Sequence, residues 1–264
     1  MTPHVSNLIS ELINELFEPN RVAIFQGDQN VAQSLLKYPF HHIFFVGSPS
    51  VGKIVMAEAA KHLSSITLEL GGKTPTIIDK TANVKMAINK LAWGKCLNLG
   101  QSCISPDYIL IHESKKNEFA KTFIEKTKKL KLGDGMKEGV HLGPITTKKR
   151  LEEIEKLVET TKKEGAKVLM GGQRPSYFNK GYFYEPTVFD NVKDDFTIMK
   201  VEPFGPLVPM LSFKSFDEVI ERANNHELGL SGYVCTNSME KAHLASEKLE
   251  TGTVGVNTLS LIHI

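Results

Sequence analysis

The feature that most constrains this chain is an alternation of short apolar runs with segments of helical periodicity, repeated along most of its 264 residues. Short links join these segments, and no internal repeat or flexible linker interrupts them. Such alternation is typical of a parallel sheet, because parallel strands need a crossover connection, usually a helix. We therefore predict an α/β fold in which any two domains are closely packed.

The periodicity assigns most of the chain to particular elements. The predicted strands are 21–26, 43–46, 65–70, 76–79, 107–111, 168–170, 207–213, 232–235 and 254–256. The predicted helices are 2–16, 29–36, 53–62, 86–95, 115–131, 147–163, 216–224 and 240–249. The run 43–46 is uniformly apolar, which predicts a buried strand.

Charge and hydropathy exclude several classes of function. The 32 Lys and Arg residues nearly balance the 30 Asp and Glu residues, and the formal charge of +2 provides no field for nucleic acid or anionic lipid. The lysines of 147–163 are interspersed with acids, as on a solvated helix face. No apolar run approaches the roughly 18 residues of a membrane span, and no secretory segment follows the first residue. We expect a cytoplasmic protein.

The three cysteines lack the spacing of a disulfide framework or a zinc site, and no histidine has metal-ligand spacing. A free cysteine is usually a small buried hydrophobe, which we expect of Cys96 in a helix and Cys235 in an apolar strand. Cys103 differs, since it ends a polar loop, 98–103, that contains Gly100. A thiolate nucleophile needs such partial exposure and nearby donors.

Segment 45–52 places a glycine turn between a predicted strand and a helix that begins near Pro49. Free backbone N–H groups and the helix dipole make such a turn a potential anion site. The segment contains neither the three-glycine dinucleotide fingerprint nor a Walker A motif. An ordinary strand-to-helix corner therefore remains the alternative interpretation.

Segment Glu69–Lys73 has two glycines directly after a predicted strand. The glycines permit a sharp turn and the close approach of a ligand. Glu69 at the strand end could act as a base if desolvation raised its pKa. The alternative is a surface glutamate beside a tight turn.

Segment Glu202–Pro206 combines an acid and an aromatic residue with two prolines and a glycine. The prolines fix the backbone, so that Glu202 and Phe204 project in defined directions. Glu202 could accept hydrogen bonds from a ribose diol while Phe204 packs on a ring. As an isolated string, the segment could equally be a plain turn.

Taken in this order, the strings ELGGK at Glu69–Lys73, GQxC ending at Cys103 and EPFGP at Glu202–Pro206 resemble the aldehyde dehydrogenase superfamily. The resemblance extends from about residue 2 to residue 257. Segments 45–53 and 103–108 are most similar to the class 3 and fatty-aldehyde branch, and the arginine that many other branches carry shortly after the cysteine is absent. The resemblance implies a partial Rossmann-like cofactor-binding domain, residues 1–72, and most of the α/β catalytic domain, residues 73–264.

The resemblance implies that Cys103 is the nucleophile. Its thiolate adds to an aldehyde carbonyl, hydride transfer to the nicotinamide then leaves a thioester, and the backbone N–H of Cys103 helps to stabilise the oxyanion. Glu69 activates the water that releases the carboxylic acid and helps to deprotonate the thiol.

The cofactor implied by the resemblance is NAD or NADP. Glu202 holds the nicotinamide ribose, and Phe204 lies against the nicotinamide. Backbone near the ring comes from Leu70 and Gly71. The residues implied to border the diphosphate and adenine are Gly47, Ser48, Val51 and Gly52.

The resemblance also implies absent parts, since family members are considerably longer. The strand end that grips the adenine ribose and the asparagine that completes the oxyanion hole are expected upstream, and residues 260–264 do not continue the family pattern. We expect a fragment truncated at both ends, prone to aggregate through an unpaired sheet edge and with little or no activity alone. The full-length form is expected to be a homodimer or higher oligomer.

Two other interpretations stay open. An acylating or semialdehyde-type dehydrogenase would pass the acyl group to an acceptor other than water, although Glu69 disfavours it. A non-catalytic truncated chain could retain the fold and serve at most as an interaction module.

Overall fold

The computed structural model describes residues 2–259, so residues 260–264, where the family pattern is expected to stop, lie outside the described part. The chain divides into two compact units, one ending at Leu70 and one beginning at Gly71. Each unit has its own sheet. The assignment of separate functions to 1–72 and 73–264 is a proposal taken up below.

The first unit contains three helices and two parallel strands within its described residues. They are α1 (Pro3–Leu16), α2 (Gln29–Leu35), β1 (His42–Gly47), α3 (Pro49–Ala60) and β2 (Ser65–Leu70). Side chains cap two of the helices: Asp28 accepts from the Asn30 N–H at 2.9 Å at the start of α2, and Ser48 accepts from the Val51 N–H at the start of α3. Val46 of β1 lies opposite Glu69 of β2, so both strands end at the same edge.

Two predictions for this unit are wrong. Residues 21–26 form no strand, because the chain leaves α1 through a turn and then takes an irregular path to α2. The strand at 43–46 is not buried: Phe44 is 63% and Val46 61% exposed. Helix α3 packs on β1 and β2, and burial in β1 alternates along the strand, so apolar composition alone did not reveal the uncovered face.

The second unit contains the remaining elements. They are β3 (Pro75–Ile78), α4 (Val84–Cys96), β4 (Tyr108–His112), α5 (Lys116–Thr127), α6 (Lys148–Lys163), β5 (Lys167–Met170), β6 (Thr187–Asp190), α7 (Thr197–Lys200), β7 (Leu207–Phe213), α8 (Phe216–Ala223), β8 (Ser231–Cys235), α9 (Met239–Lys248) and β9 (Thr253–Val256). Short 3-10 turns occupy Leu97–Gly100 and Glu113–Lys115. The predicted helix 115–131 ends earlier, at Thr127, and the chain then leads to a bridge between Leu132 and Leu142.

The seven strands of this unit form one sheet in the order β5-β6-β7-β4-β3-β8-β9. All neighbours are parallel except β5 and β6, which are antiparallel. The central strands are buried along nearly their whole length, and Ile77, Leu110 and Val234 are each 0% exposed. The predicted α/β fold with a parallel-dominated sheet is therefore confirmed. Strand β6 and helix α7 were not predicted.

The sheet order positions the candidate site. Strands β7, β4, β3 and β8 are parallel neighbours, so the segments that precede them meet at one edge of the sheet, the amino-terminal edge. These segments include three of the strings singled out in the sequence. Within residues 2–259, none of the helices is long and apolar enough to cross a membrane.

Candidate active site

Gly71, the Cys103 loop and Glu202–Pro206 converge at the amino-terminal edge. A Cβ atom on Gly71 would lie 2.0 Å from Oε2 of Glu202, so only glycine lets the carboxylate approach this backbone. A Cβ on Gly100 would lie 2.4 Å from the Gly205 carbonyl oxygen. The loop that carries Cys103 thus packs directly on the segment that carries Glu202 and Phe204.

The Cys103 loop has an unusual backbone that its contacts hold in place. Asn98, Leu99 and Gly100 have φ angles of 47°, 55° and 73°, in the left-handed region that non-glycine residues rarely adopt. The Gln101 amide donates to the Asn98 carbonyl at 2.9 Å, and its Oε1 accepts from the Thr146 N–H at 2.9 Å. These bonds join the loop to the segment before α6.

The three cysteines differ in exposure as the sequence predicted. Cys96 and Cys235 are buried, and burial raises the pKa of Cys96 to about 11 and that of Cys235 to about 12. Both are therefore protonated and inert near neutral pH. Cys103 is half-buried, in a loop rather than in the core. Of the three, it is the thiol that a small reagent can reach.

A buried ion pair connects the ELGGK string to the segment that follows Cys103, and it was missed in the sequence. Lys73 is 6% and Asp107 4% exposed, and the two side chains form an ion pair. The Lys73 ammonium also donates to the carbonyls of Ile198 and Val201, each at 2.9 Å. Lys73 therefore fixes the chain directly before Glu202. The sequence singled out Lys73 only as the last residue of the ELGGK string, and that string does not indicate the partners of Lys73.

Two ionisable groups at this edge have pKa values displaced toward neutrality. Burial, and then the negative charge of Asp107, raises the pKa of Glu202 to about 7. Burial lowers the pKa of Lys95, which is 3% exposed, to about 8. Both residues line one small cavity with Asp107 and Phe204. Displaced pKa values in a shared cavity are typical of functional sites. Lys95 was missed because it lies within an otherwise helical pattern.

Phe204 and Arg150 form the outer part of this site. Phe204 has a φ of +43° and is half-buried, and the Arg150 guanidinium lies 5.8 Å from the centroid of its ring. A pocket of about 410 Å³ lies beside Glu202 and is lined also by Arg150 and Thr197. The site thus offers an acid, a cation and an aromatic face to a ligand. Arg150, in the first turn of α6, had no distinguishing signal in the sequence.

The first unit contains the other candidate ligand-binding residues. Ser48 caps α3 by accepting from the Val51 N–H at 3.4 Å, and both residues are exposed. A Cβ on Gly52 would lie 2.8 Å from Cδ2 of Leu70, so Gly52 also permits α3 to pack on β2. Beside α3 lies an apolar pocket of about 470 Å³, lined by residues that include Val51. An exposed helix N-terminus next to an apolar pocket suits a diphosphate joined to a flat ring.

Glu69 and Gly47 lie at the edge where β1 and β2 end. Glu69 is exposed to solvent, whereas the sequence argument required a desolvated carboxylate. Gly47 is half-buried, and a Cβ there would lie 2.5 Å from the Phe45 ring. In the described part of the chain, no group of three or more His, Cys, Asp or Glu side chains could hold a metal ion.

Fold and site together define an α/β protein with a partly exposed cysteine, an acid and an aromatic ring at the edge of a parallel sheet. The chain matches the family model described as "Aldehyde dehydrogenase family" over residues 1–263. It belongs to the aldehyde dehydrogenase family.

Curated relatives and solved structures agree with this family. The chain is 42% identical to the D-glyceraldehyde dehydrogenase (NADP(+)) of Picrophilus torridus over 81% of this chain and 44% of the relative. It is 34% identical to the 4,4'-diaponeurosporen-aldehyde dehydrogenase of Staphylococcus aureus over 100% of this chain and 60% of the relative. The NAD+ complex of a Bacillus cereus aldehyde dehydrogenase superposes with a TM-score of 0.84 at 38% identity, covering 88% of this chain and 47% of that one. The chain thus spans about half the length of the relatives it matches.

Proposed function

We propose that this chain carries the catalytic thiol and part of the cofactor site of an NAD(P)-dependent aldehyde dehydrogenase. The reaction converts an aldehyde, water and the oxidised cofactor into a carboxylic acid, the reduced cofactor and a proton. The observation that carries the proposal is the half-buried Cys103, held by a strained loop against the segment that bears Glu202 and Phe204.

Cys103 is assigned the nucleophilic step. Its thiolate attacks the carbonyl carbon, and the oxygen of the resulting hemithioacetal is stabilised in part by the Cys103 backbone N–H. The bound cofactor supplies the acceptor for the hydride that leaves this carbon. A thioester on Cys103 remains, and water cleaves it to the acid and the free thiol. Glu69 is assigned to remove a proton from that water and to help deprotonate the thiol.

The residues described above fit NAD or NADP. We assign Glu202 to the hydroxyls of the nicotinamide ribose and Phe204 to the nicotinamide face, with backbone from Leu70 and Gly71 beside the ring. The glycine turn and helix N-terminus of the first unit are assigned to the diphosphate and adenine: Gly47, Ser48, Val51 and Gly52. Residues 1–72 accordingly form the C-terminal part of the cofactor domain, and residues 73–264 form the catalytic domain.

Segments 45–53 and 103–108 favour the class 3 and fatty-aldehyde branch within the family. The names of the relatives refer to aldehydes as different as D-glyceraldehyde and 4,4'-diaponeurosporen-aldehyde, so our proposal extends to an aldehyde and no further. We further propose a cytoplasmic location and, for the full-length form, a homodimer or higher oligomer.

The test is the rate at which iodoacetamide alkylates each cysteine of the 264-residue chain near neutral pH, measured by peptide mass spectrometry. We expect Cys103 to react at least about tenfold faster than Cys96 and Cys235, since only an accessible thiolate reacts quickly. Equal rates would overturn the proposal and favour a non-catalytic chain. Product analysis with and without coenzyme A separates hydrolysis from acyl transfer: formation of an acyl-coenzyme A would replace our proposal with the acylating dehydrogenase.

A further inference from the structure

The hydroxyl group of Tyr233 reaches the Cys103 loop from a distant part of the chain. Tyr233 lies on β8 with a ring that is 0% exposed, and its hydroxyl donates to the carbonyl oxygen of Ile104 at 2.7 Å. Ile104 directly follows Cys103. We propose that Tyr233 is a positioning residue that fixes the Ile104–Ser105 peptide group, one residue after the Cys103 nucleophile, an inference that rests on the proposed function.

The position of this hydroxyl is determined by the sheet and not by the loop. Strand β8 pairs with β3 on one side and β9 on the other, with Tyr233 opposite Thr76 and Gly255. A Cβ on Gly255 would lie 2.8 Å from Cδ1 of the Tyr233 ring, so glycine leaves the space that the ring fills. A ring enclosed in this way has one available orientation, and its hydroxyl is a fixed donor.

The loop is held from two sides. The Gln101 side chain binds it to Pro144 and Thr146, before the cysteine, and Tyr233 binds it at Ile104, after the cysteine. Between these anchors, the Ser105 N–H donates to the Ser102 carbonyl at 3.0 Å and closes the turn that contains Cys103. Small errors in the position of a nucleophile cost large factors in rate, so two rigid anchors are a mechanistic advantage.

The charge on the thiolate does not remove this donor. Burial raises the pKa of Tyr233; the Ser231 hydroxyl opposes this in part, and the negative charge of nearby Cys103 adds to it. The phenol therefore stays protonated in the pH range in which a thiol ionises, and it continues to donate to Ile104. The anchor is present in both protonation states of the nucleophile.

The experiment compares Tyr233→Phe with the matched control Tyr108→Phe in the 264-residue chain. Tyr108 lies on β4 with a ring only 1% exposed, and its hydroxyl is 3.0 Å from Nε2 of His226, so each variant removes one buried hydroxyl from the same sheet. The first readout is hydrogen–deuterium exchange at the Ser105 N–H. We expect about fivefold faster exchange in Tyr233→Phe, the factor that corresponds to one lost hydrogen bond of roughly 1 kcal/mol, and no change in Tyr108→Phe.

The second readout is the rate of Cys103 alkylation near neutral pH. We expect this rate to fall in Tyr233→Phe, because a loosened loop holds the thiol less consistently near donors, and to stay unchanged in Tyr108→Phe. Gly255→Ala is a second variant that displaces the ring without removing the hydroxyl, and it should accelerate the same exchange.

Unchanged exchange at the Ser105 N–H and an unchanged rate of Cys103 alkylation in Tyr233→Phe would overturn the inference. The same changes in Tyr108→Phe would also overturn it, since they would indicate a general effect of losing a buried hydroxyl. Failure of the proposed function has a different signature: in the unsubstituted chain, Cys103 would react no faster than Cys96 and Cys235, whatever Tyr233→Phe does to exchange at Ser105.

Discussion

Two carboxylates on opposite edges of the seven-stranded sheet have opposite environments. Asp79 follows β3 at the carboxyl-terminal edge, is 0% exposed and accepts from Lys241 Nζ at 2.6 Å, from Thr81 and from Thr236. Burial would raise its pKa, but these hydrogen bonds, led by that from Lys241, lower the pKa to about 2. Glu202, before β7 at the amino-terminal edge, has its pKa raised to about 7, and no donor among residues 2–259 bonds its carboxylate.

The difference separates a stabilising network from a binding site. Donors within the protein occupy the hydrogen-bond acceptor sites of the Asp79 carboxylate, so none is left for a ligand. Glu202 is partly desolvated, and its carboxylate can still accept hydrogen bonds from a ligand. The buried Ser105 hydroxyl also has no hydrogen-bond partner within the described residues. Ligands of open α/β sheets usually bind at carboxyl ends. In this sheet the polar groups without hydrogen-bond partners in the described chain, Glu202 and Ser105, lie at the amino-terminal edge instead.

The largest expected effect is at Cys103, at the amino-terminal edge of the sheet. In Cys103→Ser, the initial rate at which iodoacetamide labels the folded chain should fall by at least about tenfold, because the remaining thiols, Cys96 and Cys235, are buried and protonated. Peptide mass spectrometry measures the rate. Cys235→Ser is the control and should retain the rate. An initial rate that survives in Cys103→Ser would show that Cys103 is not the accessible thiol.

The next effect is at the Lys73–Asp107 ion pair, which joins the ELGGK string to the segment after Cys103 at the amino-terminal edge. Lys73→Met leaves the Asp107 carboxylate buried without its partner, and we expect the free energy of unfolding to fall by about 3–5 kcal/mol. Urea denaturation measures it. The double variant Lys73→Met/Asp107→Asn should recover part of the loss. If the single and double variants are equally stable, the pair does not compensate a buried charge.

At the carboxyl-terminal edge, Asp79→Asn should lower the free energy of unfolding by about 1–2 kcal/mol near neutral pH, because asparagine keeps an acceptor oxygen but loses the charge that pairs with Lys241. The folded-state pKa, about 2, lies below the ordinary value of 3.8. The stabilisation is therefore present above pH 3.8 and is lost as pH falls through 2. Urea denaturation across this range should show the two proteins converging. A constant difference at all pH values would contradict the assigned pKa.

At Glu202, on the amino-terminal edge, the dependence of stability on pH has the opposite sign. Its folded-state pKa, about 7, lies above the ordinary value of 4.5, so stability is lost as pH rises between these values and an ionised carboxylate becomes buried. Glu202→Gln removes this loss. Its thermal midpoint should match that of the unsubstituted chain below pH 4.5 and exceed it above 7. Identical thermal midpoints for Glu202→Gln and the unsubstituted chain at every pH would show that Glu202 does not differ from Asp79 in the way described.

The sequence was most informative where local pattern and backbone restraint decide the structure. Strand β7 has the predicted bounds, 207–213, because a long apolar run between turns has few alternatives. The close approach at Gly71 and the constrained turn at Phe204 were also indicated, since glycine and proline at fixed positions imply constrained turns. Strand β6 has only four residues and follows a proline-containing turn region, so its short pattern gave no periodicity to detect.

The parts of the site that escaped prediction depend on contacts between distant residues. Lys95 resembles any lysine of a helix until the packing of Gly100 and Gly205 encloses it. Tyr233 lies 129 positions from Ile104, and its role depends on strand order and not on any neighbour in sequence. Single-sequence patterns report local preference, whereas burial and pKa displacement arise from the assembled sheet.

The left-handed backbone at residues 98–100 has a consequence for how this protein can be followed in solution. Asn98 and Leu99 would not keep these torsion angles in a free chain, so the folded surroundings alone maintain the loop. The chemical character of Cys103 is then acquired only when the sheet assembles, and in the denatured chain it is one of three ordinary thiols. The rate at which Cys103 becomes distinguishable from Cys96 and Cys235 during refolding would time the completion of this domain.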